Sequence, residues 1–313
     1  MRSIGGYFGL ELRKGQEYHS DCIALNTARN ALGLLLLNET YDRVWLPYYI
    51  CEDILEPILK QGIKCEFYDI DSNLDPIVPD VKDNDLFVVV NYFGLKDSVA
   101  DSYKVRFKNV VIDDTQAFYH KTLNDAFYSC RKFFGVPDGA YLHTTKELNV
   151  NLKASSSGCR MSHLLKRIEC GAEKGFLLFK ASEESLIEQP LKGMSALTKA
   201  ILKNIDYEYC AKARLANYNY IHAQLKDMNE LKSIELSNTN VPMVYPFLLK
   251  SDALRKKLID NMIFVATYWD NKSFPFKSGS WAEYLAKYLV PLPIDQRYGM
   301  DEMDMILGVC YEI

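Results

Sequence analysis

Lys132 stands in the run Ala126-Phe127-Tyr128-Ser129-Cys130-Arg131-Lys132-Phe133-Phe134, which ends in a Gly135-Val136-Pro137-Asp138-Gly139 turn before the apolar Ala140-Tyr141-Leu142. Aromatic, β-favouring residues followed by Gly and Pro read as a strand that delivers Ser129, Arg131 and Lys132 to its end. A lysine wedged between aromatics is expected to have a lowered pKa, because desolvation penalises the ammonium form. The neutral amine is the species that condenses with a carbonyl. A plain surface lysine at a strand end is the alternative, and for an isolated lysine it is the commoner one. A second chemical centre lies upstream, where the short apolar stretch Cys22 to Leu25 runs into Asn26-Thr27-Ala28-Arg29. A helix start capped by Asn26 or Thr27 directly after a strand exposes backbone N–H groups and the positive dipole end, which suit a phosphate. Arg29 would add a bidentate partner for it, although capping alone also accounts for Thr27.

These residues need a scaffold that brings them together. Arg43 to Pro47, Ile63 to Ile70, Asp85 to Val90 and Asn109 to Ile112 read as short apolar strands, with helices starting near Asn26 and spanning Ile50 to Gln61. Strands alternating with helices predict an α/β fold with a mostly parallel sheet covered on both faces. In such sheets ligands gather beyond the carboxyl ends of the strands, where Pro47 with its two tyrosines, Asn91 and Asp113 all fall. After Leu142 the pattern changes. Residues 147–188 are charged and mainly helical around a break at Ser155-Ser156-Ser157-Gly158. Apolar residues from Leu197 to Ile221 recur at helical spacing and predict one long bridging helix over Ser195 to about Asp227. The last part predicts strands at Met243 to Leu249 and Met262 to Tyr268, helices at Asp252 to Asp260 and Ser280 to Tyr288, and an acidic helix from Met300.

At 313 residues the chain can bury a sizeable core, and a net charge of −4 gives no basic surface for nucleic acid. Its eight cysteines are scattered without a C-x-x-C pair, which argues against a zinc site and for reduced cytosolic thiols, and no metal is expected. The N-terminal stretch has no apolar h-region, and no later apolar run approaches membrane-spanning length. The expectation is a cytoplasmic protein with no membrane partner.

Taken in order, Thr27-Ala28-Arg29-Asn30-Ala31-Leu32, Leu46-Pro47-Tyr48-Tyr49-Ile50-Cys51, Asn91-Tyr92-Phe93-Gly94, Ile112-Asp113-Asp114-Thr115-Gln116-Ala117, Ser129-Cys130-Arg131-Lys132 and Leu292-Pro293-Ile294-Asp295 resemble the fold-type-I pyridoxal-phosphate (PLP) enzymes. The DegT/DnrJ/EryC1/StrS sugar aminotransferases are the most similar group, and the likeness covers nearly the whole chain. It implies a three-layer PLP-dependent transferase fold, with a large PLP-binding domain over 1–200 and a smaller C-terminal α+β domain over 201–313. PLP would be bound covalently to Lys132, the catalytic residue. The aspartate three residues before the family's His/Gln pairs with the pyridinium nitrogen, which selects Asp113 over Asp114. Gln116 would lie near the ring hydroxyl, and Tyr49 or Tyr92 would stack on the ring, because the usual aromatic position aligns with Cys51. Thr27, the Ala28 amide and Ser129 would hold the phosphate, with charge from Arg29 or Arg131.

The implied reaction moves an amino group from glutamate or glutamine to a keto-sugar, nucleotide-linked, in a homodimer. Two departures stand out. The turn after the lysine differs from the family's Gly-Glu-Gly-Gly-like turn, and the family's inter-subunit Asn-Tyr-Arg-Met-Ser segment is reduced to Lys192-Gly193-Met194-Ser195, with Arg160-Met161-Ser162 a weaker match. They motivate a second reading, a catalytically idle regulatory or scaffold protein on the same fold. Other PLP chemistry is a third. The dehydratases of the family lack the lysine, and a desulfurase would need a mobile cysteine such as Cys159.

Overall fold

The computed structural model describes residues 4–148 and 150–313. Residues 4–22 form no helix or strand. The elements that follow are β1 (Ile23–Leu25), α1 (Ala28–Leu37), β2 (Arg43–Pro47), α2 (Leu55–Lys60), β3 (Lys64–Tyr68), β4 (Asp85–Val90), α3 (Asp97–Arg106), β5 (Val110–Asp114), β6 (Asp125–Ser129) and β7 (Ala140–His143). They build a seven-stranded sheet in the order β1-β7-β6-β5-β4-β2-β3. β2 to β6 run parallel, β7 runs antiparallel to them, and β1 pairs antiparallel with β7 and so points the same way as β2 to β6. The fold is the expected α/β arrangement with a mostly parallel sheet.

Residue chemistry accounts for this order. Every residue of Asp85-Leu86-Phe87-Val88-Val89-Val90 is buried, the pattern of a strand covered on both faces, and β4 lies inside the sheet. α1 buries Ala31, Leu32 and Leu34 to Leu36 and packs on β6 and β7, whereas α3 packs on β4 and β5.

Register then gathers the chemistry. β5 pairs Asp113 with Phe127 of β6, β6 pairs Ser129 with Ala140 of β7, and β7 pairs Ala140 with Leu25 of β1. The carboxyl ends of the parallel strands, the exit of β1 into α1 and the entry into β7 therefore share one edge.

Beyond the sheet come α4 (Ser162–Cys170) and α5 (Ala172–Glu184), a helical hairpin hinged at Gly171 (φ 84°), then α6 (Ala196–Leu202) and α7 (Tyr207–Leu225). The long helix expected over Ser195 to Asp227 is thus two helices. Ser195 caps the first through the Thr198 amide, and Asp206 caps the second through the Tyr209 amide at 2.9 Å, so a polar capping side chain competes with the helical backbone between them.

The C-terminal part holds β8 (Tyr245–Leu248), α8 (Leu254–Asp260), α9 (Trp281–Tyr288), β9 (Leu289–Leu292) and α10 (Met300–Tyr311). The strand expected over Met262 to Tyr268 is absent. β8 pairs instead with β9, antiparallel, and residues 263–270 run without regular structure, with Tyr268 and Trp269 used for aromatic packing. No helix among the described residues is long and apolar enough to cross a membrane.

Candidate active site

Lys132 ends a single 3-10 turn, Cys130–Lys132, that follows β6 directly. Its Nζ donates to Thr115 Oγ1 at 2.9 Å. The aromatic enclosure expected around it is not what the fold builds. Phe133 and Phe134 are buried, but they turn into an aromatic cluster with Phe118 and Tyr119, and Lys132 itself is exposed. A 3-10 turn separates neighbouring side chains by about 120°, so a lysine beside two core aromatics points away from them.

Asp113 and Thr115 lie at the end of β5. The Asp113 carboxylate is buried, and its Oδ1 accepts the Thr115 amide at 2.9 Å. Burial raises its pKa, and the charge of Lys132 opposes that rise. Cys51 lies near both: burial raises its thiol, Asp53 adds to this and Lys132 works against it.

Asp114 faces the other way, as alternation along a strand demands. It is fully buried and binds His120 Nδ1 at 2.9 Å and Asn91 Nδ2 at 2.9 Å. Gln116 Oε1 accepts the Phe93 amide at 2.9 Å. Its Nε2 is buried and without a partner among the described residues.

At the start of α1, Thr27 rather than Asn26 is the cap. Thr27 Oγ1 accepts the Asn30 amide at 3.1 Å, which leaves the amides of Ala28 and Arg29 with no acceptor in the helix. Asn26 instead bonds Asn30 and the carbonyl of Pro190. The guanidinium of Arg29 is committed elsewhere: it pairs with Asp53 and Glu56, both at 3.2 Å, and donates to the Leu186 carbonyl at 2.6 Å. Arg131, one residue before the lysine, pairs with Glu183 of α5. Burial, followed by the nearby charge of Arg29, pulls its pKa down to about 10. Ser129 closes β6, half-buried.

Tyr49 is not open at this edge. It is fully buried, stacked on Tyr92 at 5.8 Å and edge-on to Trp269 at 4.7 Å, while Tyr92 Oη donates to its carbonyl at 2.7 Å.

One buried carboxylate near the lysine turn escaped the sequence reading. Asp138, noted only as part of an unusual turn, is fully buried and accepts the hydroxyls of Ser195 (2.9 Å) and Thr198. Arg160 lies 3.9 Å from its second oxygen. An aspartate between Pro and Gly in an otherwise apolar stretch was the available signal. The segment Lys192-Gly193-Met194-Ser195 lies along β1 of its own chain, with the Met194 amide on the Ala24 carbonyl at 3.1 Å. A separate trio, Asp21, Cys22 and His143, sits at the opposite edge of the sheet, where His143 pairs with Ala126.

The donor set fits PLP. A buried carboxylate, an orphaned amide nitrogen on Gln116, an exposed amine on a threonine hydroxyl and uncapped helix amides are the groups needed for a ring nitrogen, a ring-edge oxygen, an aldehyde and a phosphate.

No protein-family model and no curated protein matches the sequence. Solved structures do. A DegT/DnrJ/EryC1/StrS aminotransferase from Brucella abortus aligns over 93% of this chain and 85% of its own at 15% identity, TM-score 0.62. The sugar aminotransferase CalS13 from Micromonospora echinospora aligns over 94% and 87% at 14% identity, TM-score 0.64. The E. coli GDP-4-keto-6-deoxy-D-mannose-3-dehydratase, with bound hydrated PLP, aligns over 92% and 87% at 15% identity, TM-score 0.64. The chain therefore has the fold-type-I architecture of PLP-dependent enzymes, in the form found in solved structures of DegT/DnrJ/EryC1/StrS sugar aminotransferases.

Proposed function

We propose that the protein is a PLP-dependent aminotransferase that moves an amino group from glutamate or glutamine to a keto-sugar, nucleotide-linked. The observation that carries this reading is the meeting of Lys132 and Thr115 beside the buried Asp113 at one sheet edge. PLP, when bound, supplies an aldehyde carbon and a ring that takes up the negative charge left by breaking a bond at an amino acid's Cα.

Asp113 would hold a proton on the ring nitrogen, and Gln116 would donate through Nε2 to the ring edge. The Ala28 amide with the Thr27 and Ser129 hydroxyls would hold the phosphate. Arg131 is the better source of charge for it, because Arg29 already serves two carboxylates and a carbonyl. Tyr49, closed into the core, is a poor candidate for the ring face; Cys51 stands nearer to Lys132 and Asp113. Lys132 Nζ would take the proton from the donor's Cα and return one to the acceptor's amine-bearing carbon. In this reading residues 1–200 carry the cofactor site, 201–313 close over it, and the enzyme works in the cytoplasm as a homodimer.

Added PLP is expected to give the wild-type protein a visible absorption band that Lys132→Ala does not acquire. Glutamate or glutamine should then bleach that band with release of one equivalent of the 2-oxo acid. Failure to take up any chromophore, or a band that persists without Lys132, sinks the assignment. A Lys132-dependent band that no amino donor bleaches would instead support a cofactor-binding protein without catalysis.

A further inference from the structure

At the sheet edge away from Lys132, strand register sets three unlike side chains together. Ile23 pairs with Leu142 in the antiparallel β1–β7 ladder, so the next residues outward, Cys22 and His143, stand opposite each other where β1 begins and β7 ends. Cys22 Sγ lies 3.9 Å from His143 Nδ1 and 3.9 Å from Asp21 Oδ1. All three atoms fall within 4.8 Å of one another. Backbone contacts hold the group in place: His143 also pairs with Ala126 of β6, and the Cys22 amide donates to the His19 carbonyl at 3.2 Å, closing the turn that delivers Asp21.

Nothing else among the described residues satisfies these groups. Asp21 forms no ion pair, and Lys121, whose charge reaches Cys22, is turned over the Tyr18 ring at 4.7 Å. His143 Nε2 is buried without a partner, so the ring engages through Nδ1 alone. A thiol is a weak donor, and at 3.9 Å it does little for either neighbour. Nor is the trio built as a nucleophile. A triad needs its carboxylate on the far nitrogen of the base, whereas Asp21 sits beside the sulfur and the far nitrogen meets no carboxylate. Burial, followed by the charge of Asp21, pushes the Cys22 thiol up to about 12, the reverse of activation.

We propose that Asp21, Cys22 and His143 form a zinc site, with Oδ1, Sγ and Nδ1 as ligands and water in the fourth position. Tetrahedral zinc at its usual bond lengths separates such ligand atoms by about 3.4–3.6 Å, so the trio closes on the ion through side-chain rotation, most of it by the exposed Asp21. Three protein–zinc bonds form, and the Cys22 proton leaves to solvent. The mixed nitrogen, sulfur and oxygen set suits this borderline cation and not magnesium or calcium, which take oxygen ligands. The ion would clip the chain before β1, a strand of three residues, to the end of β7. Cys22 and His143 are 121 residues apart, which is why cysteine spacing carries no sign of the site. The proposal is independent of the aminotransferase reading.

The test is titration of the reduced full chain, free of any affinity tag, with cobalt(II) as the spectroscopic probe. Wild type should develop a thiolate-to-cobalt charge-transfer band and the visible bands of tetrahedral cobalt, saturating at a single equivalent and bleached by added zinc. Cys22→Ser should abolish the charge-transfer band, and His143→Gln should weaken binding by about tenfold or more, at least the loss seen when a ligand's supporting group is removed. Asp21→Asn, at an exposed position that the fold tolerates, should also weaken it by about tenfold. Zinc should raise the thermal midpoint of wild type and leave that of Asp21→Asn nearly unmoved. Absence of the cobalt spectrum in wild type, or any one of the three folded variants binding cobalt like wild type, overturns the proposal.

Discussion

Asp113 and Asp114 are adjacent carboxylates at the end of β5, and strand geometry sends them to opposite faces. Asp113 turns to the lysine side. Asp114 turns to a buried network in which His120 bridges it to Asp101, 3.3 Å from the second ring nitrogen, and Asn91 joins it to Asp97. Burial alone would lower the His120 pKa, but hydrogen bonds to Asp101 and Asp114 outweigh it and raise the value from 6.5 to about 10. A histidine raised in the folded state contributes stability that is complete below its unfolded pKa and is lost as pH climbs through its folded one. Wild type is therefore expected to shed that contribution between about pH 6.5 and about pH 10. His120→Gln should be less stable at neutral pH by about 3 kcal/mol, the usual cost of stranding one member of a buried pair. The difference between the two proteins, measured by denaturant unfolding across this pH range, should shrink towards the alkaline end; a difference independent of pH would show that His120 is neutral in the fold. At this scale the sequence was partly legible. Motif spacing singled out Asp113, but nothing in Asp114 or His120 alone announces a partner six residues away. The aromatics around Lys132 misled, because being next to a core residue in sequence does not place a side chain in the core.

The turn after the lysine shows how an element can fix a site without touching its chemistry. Gly139 has a φ of +114°, and a Cβ there would meet Thr198 Cγ2 at 2.9 Å. Its amide donates to the Asn26 carbonyl at 2.8 Å and its carbonyl accepts the Cys130 amide at 3.1 Å. One glycine thus ties the start of α1 to the lysine turn, and Asp138 beside it ties both to the start of α6. Gly139→Ala combines a backbone conformation that L-residues avoid with a side-chain clash, and should destabilise by about 1–3 kcal/mol. The measurement is the shift in denaturant midpoint at constant slope, and an unchanged midpoint would mean that the turn relaxes freely. The strands of the sheet and the helix α1 were legible from apolar runs and a cap, whereas α3 was not, because Asp97–Arg106 has no side-chain cap and buries only Asp97, Ala100 and Tyr103. The break at residues 203–206 was not, because the apolar period continues across it while Asp206 starts a new helix. The missing strand over Met262 to Tyr268 and the unforeseen β9 share a cause: two apolar runs competed to pair with β8, and only tertiary packing decides between them.

At the scale of the whole molecule, Arg214, 1% exposed in α7, bridges the C-terminal part and the lysine turn. It donates to Gln296 Oε1 at 3.0 Å, to the Met243 carbonyl at 2.9 Å and to the Pro242 carbonyl at 3.3 Å, all in the C-terminal part. Towards the large sheet it reaches the Phe133 carbonyl at 3.4 Å and lies 4.6 Å over the Phe133 ring. The residue after Lys132 is therefore fastened to the C-terminal part by one side chain, with Gln296 adding a second bond to the same carbonyl at 3.0 Å. Arg214→Met keeps much of the volume and the apolar contact but removes the donors, leaving buried carbonyls unpaired. The expected loss is about 3 kcal/mol, since each buried acceptor left without a donor carries a penalty of about 1–3 kcal/mol and Gln296 still serves one of them. The form of the loss is more telling than its size. Tryptophan fluorescence combines Trp269 and Trp281 of the C-terminal part with Trp45 of β2, so it is read in a Trp45→Phe background, whereas far-ultraviolet circular dichroism reports on both sheets. In wild type the two signals should unfold together. In Arg214→Met the tryptophan transition should come first, because a polar bridge that links the parts is gone. Coincident transitions in the variant would mean that apolar packing, not Arg214, couples the C-terminal part to the lysine turn.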